Sequence, residues 1–158
     1  MKVNLLKKYQ LRLYFSKIEK RQGVCSQVFN KDEHVLLWDF DHISLKRLTK
    51  ILIDIQQKYN LPAIYIMKTS VSGYHAYSFT KRTFQQVIHI LSDTDGIDIA
   101  YLRLGMVRGY YTLRFSKRQN DNLKLVKQLS SNVPNEISPL DITTNEYFTV
   151  NMGMKKRR

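Results

Sequence analysis

Between His34 and Ser116 the chain switches repeatedly between two apolar periodicities, and this switching restricts its fold more than any other feature. His34 to Asp41 is a short, mostly apolar run placed between Asp32-Glu33 and a helix start, which is the pattern of a central strand. Ser44 is positioned to cap the next segment, where Leu45, Leu48, Ile51, Leu52 and Ile55 recur at helical spacing until Asn60 and Pro62 end it. Ala63 to Lys68 and Tyr74 to Phe79 are β-rich, and Thr69 to Gly73 joins them as a hairpin. A second helix carries Phe84, Val87, Ile88 and Leu91 on its inner face. Asp95-Gly96 then turns the chain into Ile97 to Met106, whose pattern is neither a clean helix nor a clean strand. Tyr110 to Ser116 reads as a strand, Asn122 to Leu129 as a final helix, and Tyr147 to Val150 as a late strand. Upstream of all these, Tyr9, Leu11, Leu13 and Phe15 alternate with Gln10, Arg12 and Tyr14, as in a half-buried strand.

The order from His34 to Ser116 is therefore strand, helix, strand, strand, helix, strand. This is the split βαβ pattern shared by ferredoxin-like and RNA-recognition folds. The expected class is α+β, with an RNA-recognition-like βαββαβ core and extra N- and C-terminal elements. In such a fold both helices cover one face of the sheet, and the other face is expected to stay open for a ligand unless additional elements cover it. No repeat interrupts the chain, and no linker does before Ser130 to Pro139. A length of 158 residues suits one domain, expected over residues 1–150 with 151–158 as a basic tail.

Charge narrows the partner. The chain has 26 Lys and Arg against 13 Asp and Glu, a formal net charge of +13. Self-repulsion on this scale is most easily understood if the partner is a polyanion, either nucleic acid or an acidic membrane surface. Lys2, Lys7, Lys8, Arg12, Lys17, Lys20 and Arg21 crowd the first segment against one acid, Glu19, and the chain closes on Lys155, Lys156, Arg157 and Arg158. The single cysteine, Cys25, excludes an internal disulfide and any zinc finger built from cysteine pairs, and it fits a cytosolic setting. No stretch approaches the roughly 20 apolar residues of a membrane span. Met1 to Tyr9 lacks the apolar run of a signal peptide, so a soluble intracellular protein is expected.

Two groups of residues carry the chemistry. Asp39 and Asp41 stand at i and i+2 near the end of the first core strand, so alternation directs both carboxylates to one face. In the otherwise apolar run Val35-Leu36-Leu37-Trp38-Asp39-Phe40-Asp41, two adjacent anions cost stability unless cations compensate, and a divalent metal is the natural compensator. Ser72-Gly73-Tyr74-His75 opens the hairpin's second strand. There the glycine lets backbone approach a ligand, Ser72 offers a hydroxyl, and His75 is able to donate to phosphate or accept a proton.

Asp39-x-Asp41, then Ser72-Gly73-Tyr74-His75, then Asp98 in Gly-Ile-Asp-Ile-Ala-Tyr, then Leu113-Arg114-Phe115-Ser116-Lys117, together resemble the archaeo-eukaryotic primase superfamily. That superfamily includes the primase-polymerases of plasmids, viruses and other mobile elements. The resemblance covers roughly Val35 to Arg118 and rests on the order of the motifs. It implies a reduced primase-like catalytic domain that makes or extends a primer on single-stranded DNA from nucleoside triphosphates. Asp39, Asp41 and Asp98 would then be catalytic carboxylates holding Mg²⁺ or Mn²⁺. Ser72, Gly73 and His75 would contact the incoming nucleotide, and Arg114 and Lys117 would neutralise its triphosphate. Asp93 and Asp95 remain alternatives to Asp98, whose own residue type also suits a turn or helix cap. The chain departs from many members in having no Cys/His cluster for zinc and no room for an attached helicase or accessory domain, so a helicase or accessory replication subunit is an implied partner.

A second reading is a non-catalytic, RNA-recognition-like protein that binds single strands, or a degenerate primase homologue. Ser72 to Phe79 also resembles the alternating-aromatic strand on which such modules stack bases. Here the basic first position is Ser72 and the second stacking position is Ala76, which makes a poor platform. A rolling-circle nicking endonuclease would need two histidines separated by one residue, and no His-x-His occurs.

Overall fold

The structure, a computed structural model, describes residues 2–5, 9–12, 17–28, 32–115 and 123–151. The chain divides into two compact units, one of residues 22–145 and one of residues 1–21 with 146–158. The smaller contains an antiparallel pair, β1 (Lys2–Leu5) with β2 (Tyr9–Arg12), in which Lys2 faces Arg12. The candidate site lies wholly in the larger.

In chain order, β3 (Lys17–Val28) leads into β4 (His34–Phe40), α1 (Leu45–Lys58), β5 (Ile64–Lys68), β6 (Tyr74–Arg82), α2 (Phe84–Ser92) and α3 (Ile99–Arg108). The chain continues through β7 (Thr112–Arg114), β8 (Lys124–Leu129) and β9 (Ile142–Asn151). Six strands of a seven-stranded sheet run antiparallel to their neighbours in the order β7-β3-β4-β6-β5-β8, and β9 pairs with β3 off this path. The class is α+β, as the alternating periodicities require.

Local sequence explains the helix limits. The Ser44 hydroxyl accepts from the Arg47 amide to start α1, and Thr83 and Gln86 form a reciprocal capping box at the start of α2. Both helices pack on one face of the sheet. Trp38 donates through Nε1 to the Thr94 hydroxyl just beyond α2 at 3.1 Å, and the His34 ring lies 5.1 Å from that of Phe84 at the α2 start. Arg47 and Lys58 of α1 pair with Asp95 and Asp93 after α2, tying the helices side by side. Leu36, Trp38 and Phe40 of β4 are fully buried on this face with their partners Ser78, Ala76 and Tyr74.

Several expectations are corrected. Asn122 to Leu129 is not a helix: Lys124–Leu129 is β8, paired along β5 from Ile64↔Leu129 to Lys68↔Lys124. So short a helix is marginal alone, whereas the bare edge of β5 offers a row of unpaired backbone groups that a strand satisfies. The ambiguous Ile97 to Met106 becomes α3, capped at its start by the Asp98 carboxylate and ended by Gly109 at φ 80°. Of Tyr110 to Ser116 only Thr112–Arg114 is strand among the described residues, and it pairs with β3 (Val24↔Leu113) rather than with β4. Beyond its one pairing with β3 at Gln27↔His34, that edge of β4 is met by α3: the Asp98 amide donates to the Asp39 carbonyl at 2.9 Å and the Tyr101 hydroxyl to the Leu37 carbonyl at 3.0 Å. The face away from α1 and α2 is not an open platform, since Val35, Leu37, His75 and Tyr77 on it are buried. The late strand expected at Tyr147 to Val150 falls within β9. Among the described residues no helix is long and apolar enough to cross a membrane.

Candidate functional site

The C-terminal end of β4 is where polar side chains gather. Asp39 faces His75 across the β4–β6 ladder, with its Oδ1 3.5 Å from the ring Nε2 of His75. The other ring nitrogen, Nδ1, is 3.3 Å from the Tyr77 hydroxyl. Burial, reinforced by the neighbouring Arg114 guanidinium, pushes the His75 pKa down to about 3. The imidazole is therefore neutral, and its 3.5 Å contact with Asp39 is a close polar approach rather than an ion pair. With 6% of its surface exposed, His75 is a buried orienting group for the Asp39 carboxyl.

Asp39 itself is anomalous. Its side chain is 30% exposed, and its pKa is raised to about 7, first by burial and then by the Asp41 and Asp98 charges; the Phe40 backbone amide and Arg114 only partly offset this. Three carboxylates thus act on one strand end, and the cluster is short of positive charge. Asp98 arrives because its amide hydrogen-bonds the Asp39 carbonyl, while its Oδ1 accepts from the Tyr101 amide at 2.7 Å as the cap of α3. Asp93 and Asp95 do not compete for the position, being committed to Lys58 and Tyr59 and to Arg47 on the helix side.

Asp41, exposed just past β4, lies against the hairpin loop. The loop is held to the strand end by Ile43 N–H donating to the Ser72 carbonyl at 3.3 Å and closed by Thr69 N–H donating to the Gly73 carbonyl at 3.0 Å. Gly73 is required by space: a Cβ there would lie 2.7 Å from the Thr69 and Ser70 hydroxyl oxygens and 3.2 Å from Asp41 Oδ1. The structure thus brings Asp39, Asp41, Asp98, Gly73, Ser72, His75 and Arg114 into one neighbourhood. Lys117 lies outside the described residues, as do the side chains of the basic first segment and the basic C-terminal tail.

Four contributors have no motif in the sequence. Tyr77 and Tyr101 look like core residues by pattern, yet one holds the His75 ring and the other pins α3 to β4. Thr69 and Ser70 place hydroxyls beside Asp41 only because the hairpin folds back on it; the density of hydroxyl residues in Thr69-Ser70-Val71-Ser72 is the one signal that marks them.

The base-stacking alternative meets a register problem. Tyr74, its first stacking residue, is 6% exposed and opposite Phe40 on the helix-covered face. A period of two admits no compromise, so the outward residues of β6 are His75, Tyr77 and Phe79. Among the described residues no three His, Cys, Asp or Glu side chains converge closely enough to hold a metal ion by themselves. Compared with protein-family models, curated proteins and solved structures, the chain matches none of them, so the reading of this site stands on its own geometry.

Proposed function

We propose that this protein is a metal-dependent nucleotidyltransferase of primase type, with a primase-like core, that synthesises or extends a primer on single-stranded DNA from nucleoside triphosphates. The observation that carries the reading is the gathering of Asp39, Asp41 and Asp98 at one strand end, with the Asp98 amide 2.9 Å from the Asp39 carbonyl and Arg114 close enough to influence Asp39. Burial and repulsion that raise the Asp39 pKa to about 7 fit a cation-binding role, since a divalent ion would supply the missing charge.

The donors are all carboxylate oxygens, which suits Mg²⁺ or Mn²⁺, and Mg²⁺ is commonly held by one or two carboxylates together with substrate phosphates. Asp39 and Asp41 would hold the ion, with Asp98 behind them. Bound there, it would activate the attacking 3′ hydroxyl and draw charge from the triphosphate. The neutral, buried His75 ring, 3.5 Å from the Asp39 carboxyl, would restrict its orientation, as partners of metal-binding carboxylates do. Gly73 keeps the loop flush against Asp41, so the Ser72 segment can approach a phosphate. The Arg114 guanidinium adds a planar, permanently charged donor set for the triphosphate. Among partners, single-stranded DNA and nucleoside triphosphates follow from this chemistry, and a helicase or accessory replication subunit is a further proposed partner.

The test is direct. The protein is incubated with primed and unprimed single-stranded template, labelled nucleotides and Mn²⁺ or Mg²⁺, and product length is read on a gel. Extension is expected, and Asp41→Asn should abolish it while leaving template affinity and melting temperature near wild type, since Asp41 is exposed. Undiminished synthesis by the variant would overturn the site. Template binding without synthesis by the wild-type protein would leave a single-strand-binding protein instead.

A further inference from the structure

Outside the carboxylate cluster, the most unusual surface of the larger unit is the outer side of α3. Gly105 is its one buried residue, while Ile99, Leu104, Met106 and Val107 are exposed hydrophobics, Val107 to 86%. At 3.6 residues per turn, Ile99, Arg103 and Val107 form one outward row, with Leu104 beside it and Arg108 in the last turn. The helix IAYLRLGMVR contains no acidic residue.

We infer that this face of α3 is the surface along which the single-stranded template lies as it passes the candidate carboxylates. The inference deepens the proposed function and rests on it. The face begins at Asp98, which caps α3 and is hydrogen-bonded to Asp39, so anything lying along the helix arrives at the carboxylate cluster. A helix of 10 residues is about 15 Å long, enough for a few nucleotides of single strand to lie along it. Arg103 and Arg108 match phosphates, and the aliphatic side chains between them match the apolar faces that every base presents. A second copy of this chain fits less well. It would bring a net charge of +13 against another +13 and set arginine beside arginine.

The experiment uses the full chain, with a fluorescent oligothymidylate as probe, over a salt series and in Mn²⁺-supported extension. Two variants are compared with wild type: Arg103→Ala/Arg108→Ala, and Val107→Asp. All three residues are exposed, and melting curves verify the fold. The double variant should bind more weakly and flatten the slope of log affinity against log salt by about 1.4, or about 0.7 for each phosphate no longer neutralised. It should raise the KM for template and leave the KM for nucleotide unchanged. Val107→Asp should lose affinity more steeply at low salt than at high salt. Wild-type affinity and slope in the double variant would overturn the inference. So would a result in which Val107→Asp leaves oligothymidylate binding intact but converts a self-associated wild type to monomer in light scattering, which would make the face a protein interface. Failure of the enzymatic reading is separately visible: if the wild type incorporates no nucleotide while the variants still lose the oligothymidylate, α3 binds strands and the synthetic activity is what falls.

Discussion

Among single residues, the Asp39 carboxyl is the most informative group. Its folded pKa of about 7 lies above the ordinary 3.8, so the folded state holds this proton more tightly than the unfolded chain. That contribution to stability is fully present below about pH 4 and is lost as pH rises through 7. Metal-free wild type should therefore show a falling melting temperature across that window, and Asp39→Asn should flatten the fall; an identical pH profile in the two proteins would refute the assignment. His75 makes a second prediction of this kind. Because it is buried against Asp39 and Tyr77, His75→Ala should lower kcat with little change in the KM for nucleotide, since it positions a carboxylate rather than gripping the triphosphate. His75→Gln, which keeps a donor, should recover part of the rate. A raised KM with unchanged kcat would instead make His75 a direct nucleotide contact.

Among the helices and strands, α3 decides whether the site exists. It is attached to the sheet by the Asp98 amide and the Tyr101 hydroxyl on β4, and to the start of β7 by close packing of Gly105 on the Tyr111 ring. A Cβ at Gly105 would overlap that ring. Gly105→Ala should then displace α3 at a cost of about 1–3 kcal/mol, lowering the melting temperature by several degrees and synthesis by more than that loss alone explains. Thermal melts together with extension rates measured well below the transition check this, and a wild-type rate in a destabilised variant would show that α3 placement does not control the carboxylates. The same helix marks where periodicity fails as a guide. α3 fully buries only Gly105, half-buries Tyr101 and Leu102 and exposes its other apolar residues, so its sequence carries no distinct apolar stripe, and its caps, Asp98 and Gly109, identify it best. β8 fails in the opposite sense: Lys124–Leu129 is shaped by the vacant edge of β5, which no local pattern announces.

Across the molecule as a whole, charge and topology have different consequences. A net charge of +13 sets solubility and attraction to polyanions irrespective of fold. Deleting Lys155 to Arg158 should weaken single-strand binding uniformly across sequences and reduce the salt slope by about 0.7 for each phosphate that the tail neutralises. Titrations at several salt concentrations would measure this, and an unchanged slope would make the tail a bystander. Local periodicity and capping suffice for the β4-α1-β5-β6-α2 succession, for the hairpin at Thr69 to Gly73, and for the pair Asp39 and Asp41 at a strand end. These depend on neighbours a few residues apart, where burial pattern and hydrogen-bond capping act directly on the chain. Only the assembled fold reveals that Asp98, rather than Asp93 or Asp95, joins that pair, that the His75 ring is buried and neutral, and that the face opposite the helices is largely covered. Each of those depends on which distant segments meet across the sheet, and a hydrogen bond such as Asp98 to Asp39 leaves no spacing in the sequence from which to read it.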